Sequence, residues 1–352
     1  MDLRDAVTKL SDAHGVSGYE HNISIILKDI FTEFCSDINV DKLGNFYAIK
    51  RGEDRKIENN IKIMLAAHMD EIGFMVSNIE DNGLVSFSTI GGFDPRTLLF
   101  QDVIIHSKNE ILGVVVPKDF NNKSDNADKA KTIEDLAVDI GHDKENAKKL
   151  VEIGDTITIK RASLALRENI VSGKALDDRA GIAVMLECAK ELMNFKHESD
   201  VYFVGTVQEE VGIRGATVST YNINPDIGIA IDVGFGHTSE LPEESTLKMG
   251  KGPGITLGAN IHPKLREKIV EIAQEYNIPF QYELDPGPTG TDARAIQITR
   301  CGIPTLLISL PLKYMHTSVE TINLVDIKNA GKLLARFISY ITKDNLEELL
   351  CY

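Results

Sequence analysis

Residues able to do chemistry cluster in five short motifs that are far apart in the chain: His68 and Asp70 in AAHMD, Asp177 and Asp178 in ALDDRAG, Glu209 and Glu210 in VQEEVG, Asp232 in IDVG, and His316 in MHTS. Two histidines and several carboxylates, with no thiolate among them, suit divalent Zn, Co or Mn. A pair of such ions, about 3.5–4 Å apart, needs one bridging carboxylate and terminal ligands on each side. One of Asp177 and Asp178 can bridge, His68 and Asp232 can complete one metal, and Glu210 and His316 the other. Glu209 and Glu210 are adjacent, so one can bind metal while its neighbour stays free as a general base for the attacking water. Asp70, two residues after His68, can hold the imidazole by its second nitrogen.

For these motifs to meet, the elements before them must run side by side. The apolar runs 61–67, 201–207, 227–231 and 305–309 read as strands, and each is followed at once or closely by one of the motifs. Run 61–67, IKIMLAAH with its histidine, is continuous enough for a strand buried on both faces. Between them the spacing predicts helices over 179–193, 265–276 and 325–341, with Ile182, Met185, Leu186 and Ala189 on one face of the first. Two further helices are expected near the start, over 3–10 and 20–34. Alternating helix and strand of this kind predicts an α/β fold, a mixed but largely parallel sheet covered by helices, in which ligands bind at the carboxyl ends of the strands.

Residues 71–164 have a different texture. Short strand candidates at 73–79, 84–89, 102–107 and 111–116 are separated by turns such as Asp81-Asn82-Gly83. A polar stretch at 118–131 reads as a solvated loop, followed by two short helical patterns and a strand at 157–159. The division expected is a catalytic domain from 1–70 and 165–352, interrupted by a small β-rich insert at 71–164.

Composition narrows the function. The chain has 352 residues and a net charge of −15, which disfavours phosphate backbones and anionic membranes as partners. No apolar run approaches the roughly 20 residues that span a bilayer, and the N-terminus lacks an export signal. Cys35, Cys188, Cys301 and Cys351 form no paired motif, so free thiols and a cytoplasmic location are expected.

With these motifs in this order, the chain resembles the TET-type dinuclear metallo-aminopeptidases, which include glutamyl and leucyl aminopeptidases. The resemblance runs essentially end to end through AAHMDEIGF (66–74), ALDDRAG (175–181), VQEEVGIRGA (207–216), AIDVG (230–234), GTDA (290–293) and MHTSVE (315–320). It implies two divalent ions per subunit, Zn or Co, bound by His68, Asp177, Glu210, Asp232 and His316, with Asp177 as the bridge. It also implies Glu209 as catalytic base and acid, Asp70 as the orienting carboxylate, and peptides as substrates, cut at the N-terminus. The insert becomes a dimerisation domain, and dimers are expected to build a tetrahedral dodecamer.

Plainer readings apply elsewhere. The other seven histidines are read as structural, and the glycine-rich 250–254 as a turn, because it lacks the phosphate-loop spacing. Asp178 is expected to cap its helix or orient neighbours, and Asp292 to lie near the site. Segments 286–292 and 310–315 are expected to line the substrate pocket, with Lys313 a solvated lysine and neutral apolar N-terminal residues preferred. The alternatives are a deacylase or dipeptidase on the same two-metal scaffold, or a particle-forming protein without catalysis. A two-carboxylate glycosidase would leave His68, Asp232 and His316 without a role.

Overall fold

The computed structural model describes residues 1–53, 60–119 and 131–351. Its main sheet has eight strands. The four central ones, Asp200–Thr206, Lys62–His68, Ile227–Phe235 and Thr305–Leu312, are mutually parallel. Phe46–Lys50 and Asp37–Val40 extend one edge antiparallel, while Gly254–Leu257 and Gln281–Leu284 extend the other. Side chains of the central strands are buried almost without interruption, as a sheet covered on both faces requires.

The helix Leu176–Glu191 is the hub of that cover. Ile182, Met185, Leu186 and Ala189 are buried as the periodicity predicts, but so is nearly every other residue from Leu176 to Ala189. One side meets the sheet and the other meets Leu324–Tyr340. Gly331 permits that second approach, because a Cβ there would press on Glu187 and the backbone at Cys188. The termini of Pro263–Glu275 and Leu324–Tyr340 lie within two residues of their expected positions.

Six strands, Gly73–Ile79, Val85–Ile90, Asp102–His106, Glu110–Pro117, Leu136–Asp139 and Thr156–Ile159, close into a barrel. It has its own core of Phe74, Val103, Ile105, Val115, Leu136 and Ile157. One of the two helical patterns expected after the loop is a single 3-10 turn, Ile133–Asp135, running into the strand Leu136–Asp139. Pairing with Val114–Pro117 decides this, since an apolar run of three residues, Leu136 to Val138, is ambiguous by itself. The other is the helix Lys144–Leu150. Most of the polar loop at 118–131 lies outside the described residues. A three-stranded sheet of Leu164–Arg167, Ile170–Gly173 and Glu320–Asn323, absent from the sequence expectations, joins the barrel's exit to the residues after His316.

The glycine-rich stretch at 250–254 is a turn, as expected. The Asp326 carboxylate accepts from the amides of Gly250 and Gly252 at 2.6 and 2.8 Å, so the backbone donors that could cradle a phosphate are already used.

Two polar contacts, one buried and one half-buried, tie the barrel to the N-terminal segment and the catalytic domain. Glu71 accepts from Lys174 Nζ at 2.7 and 2.9 Å and from the Gly15 amide, with Arg179 Nη2 at 3.6 Å. Burial alone would raise the Glu71 pKa, but Lys174 and Arg179 outweigh it and hold it below the ordinary range. Glu71→Ala would strand two buried cations. We expect a loss on the order of 3–5 kcal/mol, read as a clear drop in Tm. A variant that melts with the wild type would contradict that role.

The second contact is the stacked ring pair His14–His106, with centroids 4.0 Å apart. His106 Nε2 meets Thr158 Oγ1 at 2.8 Å. Burial, reinforced by His14, lowers the His106 pKa to about 4. The folded state therefore favours neutral His106. Its stabilising contribution is full above the unfolded value near 6.5 and is lost as pH falls towards 4, on the order of 2–3 kcal/mol. His106→Gln is expected to flatten the fall in Tm between pH 7 and pH 4.5. An unchanged slope would assign the acid sensitivity to other groups.

Candidate metal centre

The register of the central strands explains why the motifs meet. Ile227–Ala230 pairs with Ile63–Ala66, and beyond Ala230 that pairing stops while the pairing to Thr305–Leu312 continues to Phe235. Asp232 therefore lies inside its strand, not at its end, yet opens towards His68 where the two strands part. The motif of Glu209 and Glu210 follows the end of Asp200–Thr206, and His316 lies four residues beyond Leu312. Asp177 and Asp178 have non-helical backbone at the start of Leu176–Glu191 and are joined by a cis peptide bond.

Asp177 is the meeting point. Its Oδ1 lies 3.1 Å from His68 Nε2 and its Oδ2 lies 3.3 Å from His316 Nε2. His316 Nε2 is also 3.2 Å from Glu210 Oε1. The other nitrogen of each imidazole faces a main-chain carbonyl: His68 Nδ1 lies 3.0 Å from the Asp70 oxygen, and His316 Nδ1 lies 3.1 Å from the Gly92 oxygen at the barrel's rim. Donating there leaves both Nε2 atoms turned to the same carboxylate.

Asp178 is placed differently. Its oxygens accept from the amides of Gly181 at 3.0 Å and His68 at 3.3 Å, the capping and orienting role expected of it. It nevertheless stands close enough to group with His68 and Asp232, as Asp177 groups with His68 and Glu210.

The Asp70 carboxylate departs from expectation. Its Oδ1 is 3.6 Å from His68 Nδ1, beyond hydrogen-bond distance, so the backbone oxygen of Asp70 orients the ring. The carboxylate accepts instead from the amides of Glu209 and Glu210, at 3.0 and 3.1 Å, and from Ser17 Oγ at 2.6 Å. Sequence spacing could not separate these partners, since the strand end brings both within reach.

Three supporting residues were not singled out from the sequence. Glu20 accepts from the Gln208 amide at 3.0 Å, so with Asp70 it fastens three consecutive amides under the glutamate pair. Glu320 accepts from the amides of His316 and Asp177 at 2.9 and 3.2 Å. Thr206 Oγ1 donates to Asp292 Oδ2 at 2.6 Å, which puts Asp292 beside the site as expected. Of these, only Glu320 carried a signal, as the last residue of MHTSVE.

The charges are what a cation site needs. His68, Asp177, Glu209, Glu210, Asp232 and His316 all line one cavity of about 470 Å³, which has no lysine or arginine among the described residues of its wall. Burial, with Asp177 close by, drives the Asp232 carboxyl well up. Burial beside Asp232 and Asp292 likewise raises Glu209, although His68 opposes it. Hydrogen bonds that His316 donates to Asp177 and Glu210 raise its pKa to about 11. Buried carboxylates this close repel unless cations sit among them, and oxygen and imidazole donors suit divalent ions. The residues fit bound divalent metal.

A family model for the M42 glutamyl aminopeptidases matches residues 44–333. The chain belongs to the peptidase M42 family. Its relatives include the lysyl aminopeptidase of Pyrococcus furiosus, 37% identical over 94% of each chain. Among solved structures, the TET aminopeptidase of a marine-sediment Thaumarchaeota archaeon superposes with a TM-score of 0.92, at 30% identity and 99% coverage of both chains. The TET1 peptidase of Pyrococcus horikoshii, which can assemble into a tetrahedron or a large octahedral shell, gives 0.84 at 32% identity, covering 97% of this chain and all of its own. As an M42 peptidase the chain is a metal-dependent aminopeptidase with the family's mixed α/β fold.

Proposed function

We propose that this M42 peptidase holds two divalent ions, Zn or Co, bridged by Asp177, with His68 and Asp232 completing one site and Glu210 and His316 the other. The observation that carries this reading is the single carboxylate whose two oxygens face two imidazole Nε2 atoms. When bound, the ions acidify water and polarise the scissile carbonyl. Glu209, in the cavity wall with its amide held by Asp70, takes the proton of the attacking water and returns it to the departing amine. Asp70 and Glu20 keep the turn that carries Glu209 in place, and Glu320 fixes the backbone on the opposite side.

The substrate is a peptide with a free N-terminus. The insert at 71–164 is read as the self-association domain, with dimers building a closed particle such as a tetrahedral dodecamer. The four cysteines are unpaired and, among the described residues, no helix is long and apolar enough to cross a membrane; a cytoplasmic enzyme fits both.

The test is hydrolysis of aminoacyl-p-nitroanilides by metal-reconstituted protein, with N-acetylated controls and a chelated sample. Release confined to free amines and lost on chelation is expected. Release of acetate from the N-acetylated controls, with no p-nitroaniline from the free amines, would replace the aminopeptidase with a deacylase.

A further inference from the structure

The cavity beside the metal centre has a second acidic end that the proposed catalytic residues do not use. Strand register sets it up. Asp232 pairs with Ser309, Ser309 with Gly254, and Thr256 with Glu283. Because paired residues share a face and side chains alternate along a strand, Asp232, Ser309, Thr256 and Glu283 lie on one face of the sheet. From the edge strand the Glu283 side chain reaches back over that face. Its Oε2 accepts from Thr256 Oγ1 at 2.7 Å and from Ser309 Oγ.

Its Oε1 takes no hydrogen bond among the described residues. That oxygen lies against Gly234, two residues beyond Asp232, where a Cβ would collide with it. Gly234 thus leaves the space in which a carboxylate can stand at the cavity wall. Asp285 and Glu244 line the same cavity, and among the described residues no lysine or arginine does. Lys313, read from the sequence as a solvated lysine, is not among the residues lining it. Phe235, Leu247 and Met315 supply apolar wall. Burial, with Asp285 adding repulsion, raises the Glu283 carboxyl, so this end of the cavity gains by taking up positive charge.

We infer that this end of the cavity receives the cationic side chain of an N-terminal lysine or arginine, and that Glu283 selects it. The inference rests on the aminopeptidase reading above. It replaces the neutral, apolar preference expected from the sequence. A long side chain lays its methylenes on the apolar wall and carries its charge to Glu283. A leucine there would leave the free oxygen without a partner, and a glutamate would add a like charge. A charge-assisted hydrogen bond in such a setting corresponds to roughly 10- to 100-fold in selectivity.

The experiment compares wild type, Glu283→Gln and Asp285→Asn, each metal-loaded and checked by melting. It has two readouts: kcat/KM on Lys-, Arg-, Leu- and Glu-p-nitroanilides, and calorimetric binding of free L-lysine against L-leucine. The expected result is a Lys-over-Leu ratio of about 10 or more in both readouts, falling at least about 10-fold in Glu283→Gln. A preference for Leu or Glu, or a ratio unmoved in both variants, overturns the inference while leaving the aminopeptidase intact. Silence on every p-nitroanilide, with lysine still bound preferentially through Glu283, overturns the peptidase reading and keeps the cation pocket. Silence with no discrimination in binding overturns both.

Discussion

Glu209→Gln is expected to lower turnover by about 10²–10⁴-fold while metal content stays at the wild-type level. The amide is nearly isosteric, and the backbone of residue 209 is anchored through Asp70, so the side chain keeps its place in the wall. It loses only the capacity to accept a proton. The glutamate is also buried near Asp232 and Asp292, whose charges raise its pKa. Replacing a carboxyl whose ionisation burial and these neighbours oppose should therefore raise the Tm of the metal-free protein at neutral pH even as activity disappears. Opposite movements of stability and activity are a signature that simple misfolding cannot produce. Measured metal per chain, Tm without metal, and kcat on the best p-nitroanilide decide the matter. Full activity in the variant would show that another group takes the proton, and loss of metal would make Glu209 a ligand.

Asp177→Ala should have an equally large effect by a different route. Burial would push the Asp177 carboxyl up, yet hydrogen bonds from His316 and His68 hold it far below its ordinary range. Among the described residues it is the only group that touches both imidazoles. Without it, the two halves of the centre share no ligand, and affinity should fall by more than the 10- to 100-fold typical of losing a supporting residue. The expected result is metal-poor protein after dialysis and activity near the chelated baseline. Asp178→Asn is the informative partner. Its oxygens serve the amides of His68 and Gly181, so it should cost stability more than metal. If Asp178→Asn lost metal while Asp177→Ala retained it, the bridge would belong to Asp178.

Much of this was legible in the order of residues. The gathering of the candidate ligands, the adjacent glutamates and the largely parallel sheet follow from apolar runs that end in His, Asp and Glu, because parallel strands with buried faces must put their ends together. The texture of 71–164 announced short strands, although not that Leu136–Asp139 would be one of them, since its three apolar residues carry no period of their own.

Other features were settled only in three dimensions. Asp70 and His68 are two residues apart under either reading. Whether the carboxylate holds the ring or the amides of Glu209 and Glu210 depends on how the neighbouring strand delivers that turn. The barrel's contribution through Gly92 has no motif, because a main-chain carbonyl can come from any residue. Glu283 is the clearest case. It sits in an unremarkable run, QYEL, and acquires its place only through two strand pairings and a glycine some fifty residues earlier. Sequence alone determined which chemistry the chain carries, because ligand types and their neighbours are local. Tertiary structure decided what each carboxylate touches and which groups face each other across the cavity, because orientation, hydrogen-bond partners and the far wall arise from contacts between distant segments.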